Sequence, residues 1–569
     1  MAVGSDAGAT AGDPRPHERR RKVWDGSYPL HPFLLAAAAV FALMARNLNF
    51  TSFADVAPSL LGSLAFALAV YLAVAAMRRR FDAAGAVVAS IWVAGSLFYL
   101  GLFGRLNDMV AGGFPMVKSL PLALAILALL TLVALRLPGL TRLAHSILNG
   151  VALVLLATPL WQVGVYEWRN GAARAAYDAE QALAEIRQYF PSEESAARPP
   201  DIYHFVFDRY TSEDILERHY DLDNRAIGRF LEERGFYVAR RSNSNYQKTG
   251  HSVASTFHMN YLDFLEDDAR VTGANWHPIY EMLGDHRVGR ALKSRGYDFI
   301  QFGAWWVGTY NSPLADENRP HGFSEFAMLY LRRTILRPIF HALPDTALTM
   351  RLDWDNAQCQ RVAAQVEEIK AIGARERPVY VFAHFLVPHG PYAFAADGRC
   401  LSQKEAAKRG DKQGFVDQVA YANRIIEDIV TTLQADGREP PIILLQADEG
   451  PFPQRDSRVP WQDAPAEELR IKTGILNAYY FPGKEYRQLT DDITPVNSYR
   501  VLFNTYFDAK FPLLADRIYA FPNDGTIYEF HDVTDKVREP ASIADTMPGA
   551  RAGPVNQDTL IQPPPPAAR

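Results

Sequence analysis

Residues 442–451 read Ile-Ile-Leu-Leu-Gln-Ala-Asp-Glu-Gly-Pro, an apolar run that ends in two adjacent carboxylates, Asp448 and Glu449. The run has the length and composition of a buried strand, and Gly450 and Pro451 end it. In parallel α/β sheets ligands bind beyond the carboxyl ends of strands, so paired acids there are well placed to hold a hard cation. On these residues alone, an acidic turn is the alternative.

The sequence around this run alternates apolar strands with longer helices from Pro199 onward. We predict strands at 202–207, 236–239, 299–302, 379–385, 442–446 and 476–481. We predict helices near 224–234, 250–262, 288–295, 357–373 and 414–435. Buried strands separated by helices of this length indicate an α/β domain whose mainly parallel sheet is layered between helices. Its chemistry should lie on the loops that leave the strands.

The first third of the chain holds most of its long apolar segments. Five apolar stretches are found at about 33–46, 55–77, 83–104, 119–137 and 147–167. Four of them are near the length that a bilayer core requires, and the short first one can tilt or rely on flanking residues. A cleaved signal peptide fits poorly, because the first stretch lacks a small-residue cleavage site and four more follow it. We therefore predict a transmembrane domain of about five helices over residues 29–168.

Basic residues near these stretches predict their orientation, because Lys and Arg in short loops prefer the cytoplasmic side. The clusters 19–22 and 78–80, together with Arg136 and Arg142, all fall on one side of a five-span chain. The N-terminus is then cytoplasmic, and everything after Trp168 is extracytoplasmic. We expect a multi-pass protein of the inner (plasma) membrane that carries a periplasmic domain.

The remaining segments complete the predicted organisation. Residues 1–28 and the Pro-rich tail 538–569 have the composition of disordered ends, and the Ala- and Glu-rich segment 169–198 is predicted to be a helical linker. The extracytoplasmic domain then spans 199–537. The net charge of −5 is small for 569 residues and argues against nucleic acid as a partner.

The chain contains two cysteines, Cys359 and Cys400. Outside the cytoplasm they could pair, and closing a loop of about 40 residues would stabilise the fold by roughly 4 kcal/mol. Two buried free thiols are the alternative.

Polar residues fall where the strand-end rule expects chemistry. Asp208 ends the first strand, Asp448 and Glu449 end a later one, and Thr249 precedes an apolar helical run. Three carboxylates can bind a divalent cation, and a hydroxyl at a helix N-terminus lies where backbone N–H groups stabilise negative charge. A metal beside a threonine hydroxyl lowers its pKa and makes it a nucleophile.

Several motifs, taken in order, resemble those of the alkaline phosphatase and sulfatase superfamily. They are the strand ending in Asp208, Gln247-Lys248-Thr249 before a helix, Pro388-His389-Gly-Pro-Tyr, and Gln446-Ala-Asp-Glu-Gly. The resemblance covers roughly residues 199–522. Five spans followed by such a domain resemble, more narrowly, the membrane-anchored lipoteichoic acid synthases and phosphoethanolamine transferases.

The resemblance implies that Asp208, Thr249 and Asp448 ligate one metal ion and that Thr249 is also the covalent nucleophile. Glu449 stands where the family usually has histidine. Glutamate can still ligate, but a carboxylate shifts the preference from zinc toward manganese, magnesium or calcium, and its charge would repel a phosphate. His389 resembles the family histidine that contacts the substrate phosphate or protonates the leaving group.

Other residues near these motifs are candidates for substrate binding. Lys248 and His251 flank Thr249 and could neutralise a phosphate, although surface charges are common. Trp305 and Trp306 follow the third strand, where aromatic faces could hold a sugar or a lipid, with core packing the alternative for at least one. His384 lies inside a predicted strand, so we expect a packed core residue.

The leading hypothesis is a metal-dependent transferase at the membrane. It would move a phosphoglycerol- or phosphoethanolamine-type group from a lipid donor to an envelope glycan or lipid through a phospho-Thr249 intermediate. A hydrolase or phosphodiesterase would use water instead; no Cys-X-Pro-X-Arg-like motif surrounds Thr249, which argues against ordinary sulfatase chemistry. A non-catalytic binding protein is the third possibility, and Glu449 is its main support.

Overall fold

A computed structural model describes residues 28–104, 119–174, 178–191, 198–435 without 269–270, 272, 345, 347–348 and 350–356, and 439–538. The predicted disordered tails, 1–28 and 538–569, lie almost entirely outside the described residues.

Apolar helices form the N-terminal region where the sequence predicts them. They are α1 (Leu30–Met44), α2 (Phe53–Arg78), α3 (Ala83–Leu97), α4 (Leu120–Arg136) and α5 (Pro138–Arg174). By length and composition, Phe53–Arg78 and Pro138–Gly171 can each cross a membrane, whereas the other three are shorter apolar helices. Five spans therefore stay a prediction.

These helices pack on one another and against the domain that follows. Helix α1 contacts α2, α3 and α5. Beyond α1, the backbone carbonyl of Asn49 accepts a hydrogen bond from the Trp276 N–H at 3.0 Å. The Tyr166 hydroxyl of α5 donates to Asn275 Oδ1 at 3.1 Å. In the predicted linker, α6 (Ala179–Arg187) begins at Asp178, whose carboxylate caps its first N–H groups.

A seven-stranded sheet organises the C-terminal domain. Its strands are β1 (Ile202–Phe207), β2 (Tyr237–Val238), β3 (Asp298–Phe302), β4 (Glu317–Asn318), β5 (Val379–Phe385), β6 (Ile442–Gln446) and β7 (Asn477–Tyr480), in the order β2-β7-β6-β1-β5-β3-β4. The five strands from β6 to β4 are parallel, β7 runs antiparallel to β6, and the edge strand β2 runs antiparallel to β7. The sheet is thus mixed, with a parallel centre.

Helices cover both faces of this sheet, and its central strands are buried at every position. In β1, Ile202 and Val206 point into one hydrophobic cluster, and Tyr203 and Phe205 point into another on the opposite face. Strands β5 and β6 are likewise buried along their whole length. Burial on both faces is typical of parallel strands between two helical layers.

The helices of this domain come first as α7 (Glu213–Tyr220), α8 (Arg225–Glu233), α9 (Thr249–His258), α10 (His277–Gly284), α11 (Arg287–Ser294), α12 (Val307–Tyr310) and α13 (Glu325–Arg332). They continue with α14 (Leu336–Ala342), α15 (Ala357–Lys370), α16 (Gln403–Leu433), α17 (Ala466–Thr473), α18 (Ser498–Tyr506) and α19 (Thr534–Arg538). Short 3₁₀ turns lie at Asp263–Leu265, Trp461–Asp463 and Pro495–Asn497, and β8 (Tyr519–Ala520) pairs with β9 (His531–Asp532).

The two cysteines form a disulfide. Cys359 lies in the first turn of α15, Cys400 precedes α16, and their Cα atoms are 5.9 Å apart. The bridge therefore ties the helix before β5 to the end of the loop that follows β5.

Candidate active site

Three predicted strand ends meet at one edge of the sheet. Asp208 directly follows β1, and Asp448 lies just after β6. His384 is the penultimate residue of β5 and pairs in register with Val206 of β1. Strands β6, β1 and β5 are neighbours, so their carboxyl ends bring these side chains together. One ligand atom from each residue lies within 4.8 Å of the others, and all three residues are buried.

The atoms that face one another here fit a divalent cation. Asp208 Oδ1 and Asp448 Oδ2 have no hydrogen-bond donor among the described residues. His384 Nε2 lies 3.4 Å from Asp208 Oδ2, while its Nδ1 is held by Thr309 Oγ1 at 2.8 Å. Buried acceptors without donors are costly, and a ligating histidine is usually oriented through its other ring nitrogen. Two carboxylates and an oriented imidazole are a suitable ligand set.

The charges of the two carboxylates are tightly coupled. Burial, together with the nearby charges of Asp208 and Glu449, raises the pKa of Asp448 to about 7. Burial acts in the same direction on Asp208, but the positive charges of His389, His384 and Arg209 outweigh it and hold its pKa at about 2. Two acids this close repel each other unless a cation or a proton lies between them. The centre therefore favours a bound positive charge.

Thr249 is the first residue of α9 and is half-buried at the mouth of the site. Its hydroxyl lies close enough to the Asp448 carboxylate to lower the pKa of that acid. The next residue has to be glycine, because a Cβ on Gly250 would come within 2.9 Å of the Trp276 ring and 3.0 Å of Ile279. The hydroxyl and the N-terminal amides of α9 thus face the same small cavity, which suits an anion.

That cavity has a volume of about 40 Å³ and is walled by most of the predicted site residues. His389 follows β5; its backbone N–H donates to the Asp208 carbonyl at 3.1 Å, and its ring lies edge-on to Trp305 at 6.2 Å. Lys248, Trp305 and Glu449 also line it. The structure therefore brings the predicted residues Asp208, Lys248, Thr249, Trp305, His389, Asp448 and Glu449 together.

Glu449 lines the cavity but makes different contacts from those expected of a metal ligand. Its Oε1 accepts from Lys472 Nζ at 2.7 Å and from Arg209 Nε at 3.2 Å, and all three side chains are buried. It is not part of the Asp208–His384–Asp448 group. A buried carboxylate is stable only when paired, and Lys472 and Arg209 provide that pairing.

Three basic side chains surround the ring of Phe452 beside this site. Lys472 Nζ lies 3.4 Å from the ring centroid, Arg209 Cζ 4.6 Å and Lys248 Nζ 5.1 Å. Burial lowers the pKa of Lys472 to about 8, although Glu449 acts to raise it. Cations over an aromatic face are attracted by its quadrupole. Phe452 therefore holds positive charge in place next to the cavity.

His251, predicted to bind substrate, is instead a core residue. Its side chain is fully buried, its Nε2 contacts the Ile527 carbonyl at 3.0 Å, and it packs on Trp276 and Phe521. Burial lowers its pKa to about 3, so it is neutral at physiological pH. The prediction was wrong because position 251, two residues after Thr249, lies on nearly the opposite face of the helix.

Sequence reasoning also missed His384, Arg209, Lys472 and Phe452. His384 is a core residue by burial, as expected, yet its ring reaches the carboxylates. The spacing His384-X4-His389, with one histidine on the strand and one beyond it, was the available signal. No such signal was available for Lys472, because it lies on α17 and only the folding of the chain brings it to the site.

No protein-family model matches the chain, and no curated protein does. Among solved structures, the C-terminal periplasmic domain of EptC from Escherichia coli in complex with Zn matches with a TM-score of 0.36 and 9% identity, covering 60% of this chain and 94% of that one. The corresponding domain of phosphoethanolamine transferase EptC from Campylobacter jejuni gives 0.33 and 11%, covering 56% and 92%. An alkaline phosphatase superfamily protein from Vibrio parahaemolyticus gives 0.34 and 11%, covering 60% and 82%.

Proposed function

We propose that the protein is a membrane-anchored, metal-dependent transferase. It moves a phosphoglycerol- or phosphoethanolamine-type group from a membrane lipid to an envelope glycan or lipid. One observation carries the proposal: a threonine hydroxyl at the start of α9 lies beside the Asp448 carboxylate, in a centre where ligand atoms of Asp208, His384 and Asp448 approach within 4.8 Å. A nucleophile next to a cation site is suited to phosphoryl transfer.

The residues that would hold the metal are Asp208, His384, Asp448 and the Thr249 hydroxyl. Oxygen ligands suit manganese, magnesium or calcium, and the imidazole admits zinc as well. One such ion, when bound, lowers the pKa of the threonine hydroxyl and offsets negative charge on a phosphate.

The protein's own groups would carry two displacements. In the first, the Thr249 hydroxyl releases its proton to solvent and its Oγ attacks the donor phosphorus, the bond from phosphorus to the lipid oxygen breaks, and protonated His389 gives that oxygen a proton. In the second, His389 takes the proton of an acceptor hydroxyl, whose oxygen attacks the phosphorus; the bond to Thr249 Oγ breaks, and the threonine regains a proton from solvent. The α9 amides and Lys248 stabilise the negative oxygens in both steps.

The charge of Glu449 does not argue against this activity. Lys472 at 2.7 Å and Arg209 at 3.2 Å neutralise the carboxylate, and Lys248 adds a further positive charge nearby. The electrostatic repulsion between a glutamate and a phosphate is therefore offset inside the protein. This pairing answers the electrostatic part of the case for a non-catalytic binding protein.

The membrane location rests on the apolar helices and on the basic clusters that flank them. Two of the helices, α2 and α5, are long enough to cross a bilayer, and both contact the α/β domain. We propose a transmembrane domain at 29–168, a linker at 169–198 and a periplasmic domain at 199–537, with the N-terminus in the cytoplasm. A lipid donor would then meet the site at the membrane surface.

The test is a covalent adduct on Thr249. Full-length protein would be incubated with Mn²⁺ in nanodiscs of phosphatidylglycerol and phosphatidylethanolamine, and the peptide containing Thr249 examined by mass spectrometry. We expect a phospho-alcohol adduct in the wild type and in Thr249→Ser, and none in Thr249→Ala. A wild-type peptide without adduct, together with unchanged envelope lipids in cells carrying Thr249→Ala, would overturn the proposal. Release of the free phospho-alcohol without an acceptor would instead identify a hydrolase.

A further inference from the structure

A second cavity lies where the N-terminal helices meet the α/β domain. Its volume is about 320 Å³, and its walls come from α2, from the end of α3 and from the segment 323–336 that includes α13. The walls are almost entirely apolar. Small-molecule sites commonly measure about 300–1,000 Å³, so the cavity is large enough for part of a ligand.

Small residues on one face of α2 create this space. Ser59, Gly62 and Ser63 line the cavity, and a Cβ on Gly62 would meet no atom within 4 Å. Across the cavity, the Tyr330 hydroxyl of α13 bonds Ser63 Oγ at 2.7 Å. Ser63 lies about 15 Å along α2 from the first residue of that helix. The cavity therefore lies along the flank of a helix that is long enough to span a membrane, and not at its end.

The segment 323–343, which contains α13 and α14, has the character of a membrane-surface element. Backbone hydrogen bonds tie it to the end of α3: Leu100 N–H donates to the Arg333 carbonyl at 3.0 Å, and Ile335 N–H donates to the Ser96 carbonyl at 2.8 Å. It leaves large apolar side chains exposed, namely Phe323, Leu336, Ile339 and Leu343. Exposed apolar residues beside basic ones are typical of helices that lie at a lipid interface.

Arg333, which lies beside the cavity wall, and Arg46, close enough to act on its charge, lack an acidic counterpart. Within the part of the chain that the structure describes, neither Arg46 nor Arg333 has a carboxylate within 4 Å. Burial lowers the pKa of Arg333, and the neighbouring Arg46 lowers it further. Arg333 directly precedes Thr334, which lines the cavity. Arginine is suited to bidentate contacts with phosphate, so Arg333 provides positive charge beside an apolar pocket and Arg46 adds to it.

The same segment is connected to the candidate active site. The backbone N–H of Glu325, at the start of α13, donates to the Trp305 carbonyl at 2.8 Å, and Trp305 lines the cavity that holds Thr249. Phe326 and Tyr330 pack in one cluster with Val307 and with residues of α1 and α2. The second cavity and the active site are thus joined through one short helix.

We infer that this second cavity is a binding site for a membrane phospholipid. One acyl chain occupies the apolar space between α2 and α13, and the lipid phosphate lies against Arg333 and Arg46. The inference rests on the membrane anchoring in the proposed function but not on its transfer chemistry. Apolar walls, a position along the flank of a membrane-length helix and positive charge beside the cavity together match a phospholipid better than a soluble ligand.

The test uses a phosphatidylglycerol probe with a photoreactive diazirine in one acyl chain, incorporated into nanodiscs with the full-length protein. Mass spectrometry after irradiation maps the crosslinked peptides. Gly62→Leu places a bulky side chain in the cavity from a position whose Cβ has open space, and Gly150→Leu is the matched control, because Gly150 is also an exposed helical glycine with open space around its Cβ. Arg333→Gln, compared with Arg337→Gln, tests the phosphate contact.

We expect crosslinks in peptides covering 58–66 and 327–336, a loss of at least fivefold in Gly62→Leu, and little change in Gly150→Leu. Arg333→Gln should lower labelling by the anionic probe more than Arg337→Gln does. Equal labelling of the two glycine variants, or crosslinks spread evenly over α4 and α5, would overturn the site. Crosslinking without a Thr249 adduct would retain the site and reject the transferase, and an adduct without localised crosslinks would do the reverse.

Discussion

Replacing Lys472 by methionine should destabilise the protein strongly. The Lys472 side chain is completely buried, and its Nζ lies 2.7 Å from Glu449 Oε1 and 3.4 Å from the Phe452 ring centroid. Methionine nearly preserves the volume, so the main effect is electrostatic. Removing one partner of a buried ion pair costs about 3–5 kcal/mol. Arg209 still contacts Glu449 at 3.2 Å, which places the expected loss near 3 kcal/mol.

The assay is thermal unfolding of the full chain in detergent, followed through tryptophan fluorescence. A loss of about 3 kcal/mol corresponds to a fall in Tm of roughly 6 °C, at about 2 °C per kcal/mol for a large domain. The double variant Lys472→Met/Glu449→Gln removes both charges and should recover most of the loss, since a buried pair can be replaced by neutral groups at little cost. Lys412→Met is the control, because its ion pair with Asp221 is exposed and its removal should cost less than about 1 kcal/mol.

Two results would refute this reasoning. If Lys472→Met unfolds at the same temperature as Lys412→Met, the buried pair contributes nothing. If the double variant is no more stable than the single one, Glu449 is not what Lys472 neutralises, and a role of Glu449 at the metal becomes the better explanation.

Asp448→Asn should abolish stoichiometric metal, measured by elemental analysis of purified protein, whereas Glu449→Gln should keep it; equal losses would make Glu449 a ligand. His251 has a pKa of about 3 when folded and 6.5 as its ordinary value, so its contribution to stability is complete above pH 6.5 and falls below it, by about 2 kcal/mol between pH 6.5 and 5. The His251→Gln variant should therefore show a smaller drop in Tm between pH 7 and 5 than wild type, and an unchanged drop would contradict this. Gly250→Ala should cost about 1–3 kcal/mol in a melting experiment, because its Cβ would press on Trp276, and an unaltered Tm would show that the ring can move.

The central strands could be predicted because their whole environment is apolar. Strands β1, β5 and β6 have the predicted bounds, since burial on both faces gives an uninterrupted run that polar residues end. The two-residue strands β4 and β8 could not be predicted, because two residues show no periodicity. Their pairing depends on partners that the local sequence does not specify.

The site residues that lie at the ends of strands or at the start of a helix could be predicted from the sequence. Asp208, Asp448 and Thr249 each stand at the boundary of an element, which is why their sequence positions alone bring them together. His384 was assigned to the core because it lies inside a strand; its place beside the carboxylates depends on its register with Val206, two residues before Asp208. Lys472 could not be found from sequence, since a buried ion pair between distant segments leaves no local pattern.

The disulfide has a consequence for how the protein must be produced. The segment between β5 and Cys400 carries His389, and Gln358, the neighbour of Cys359, donates to the Leu386 carbonyl at 2.5 Å, so that segment is fastened at both ends. We expect chains made in a reducing cytosol, or purified with dithiothreitol, to have a loosened His389 loop and low activity despite a folded sheet. With the topology proposed above, maturation of the site would be the last stage of biogenesis, completed in an oxidising environment outside the cytoplasm.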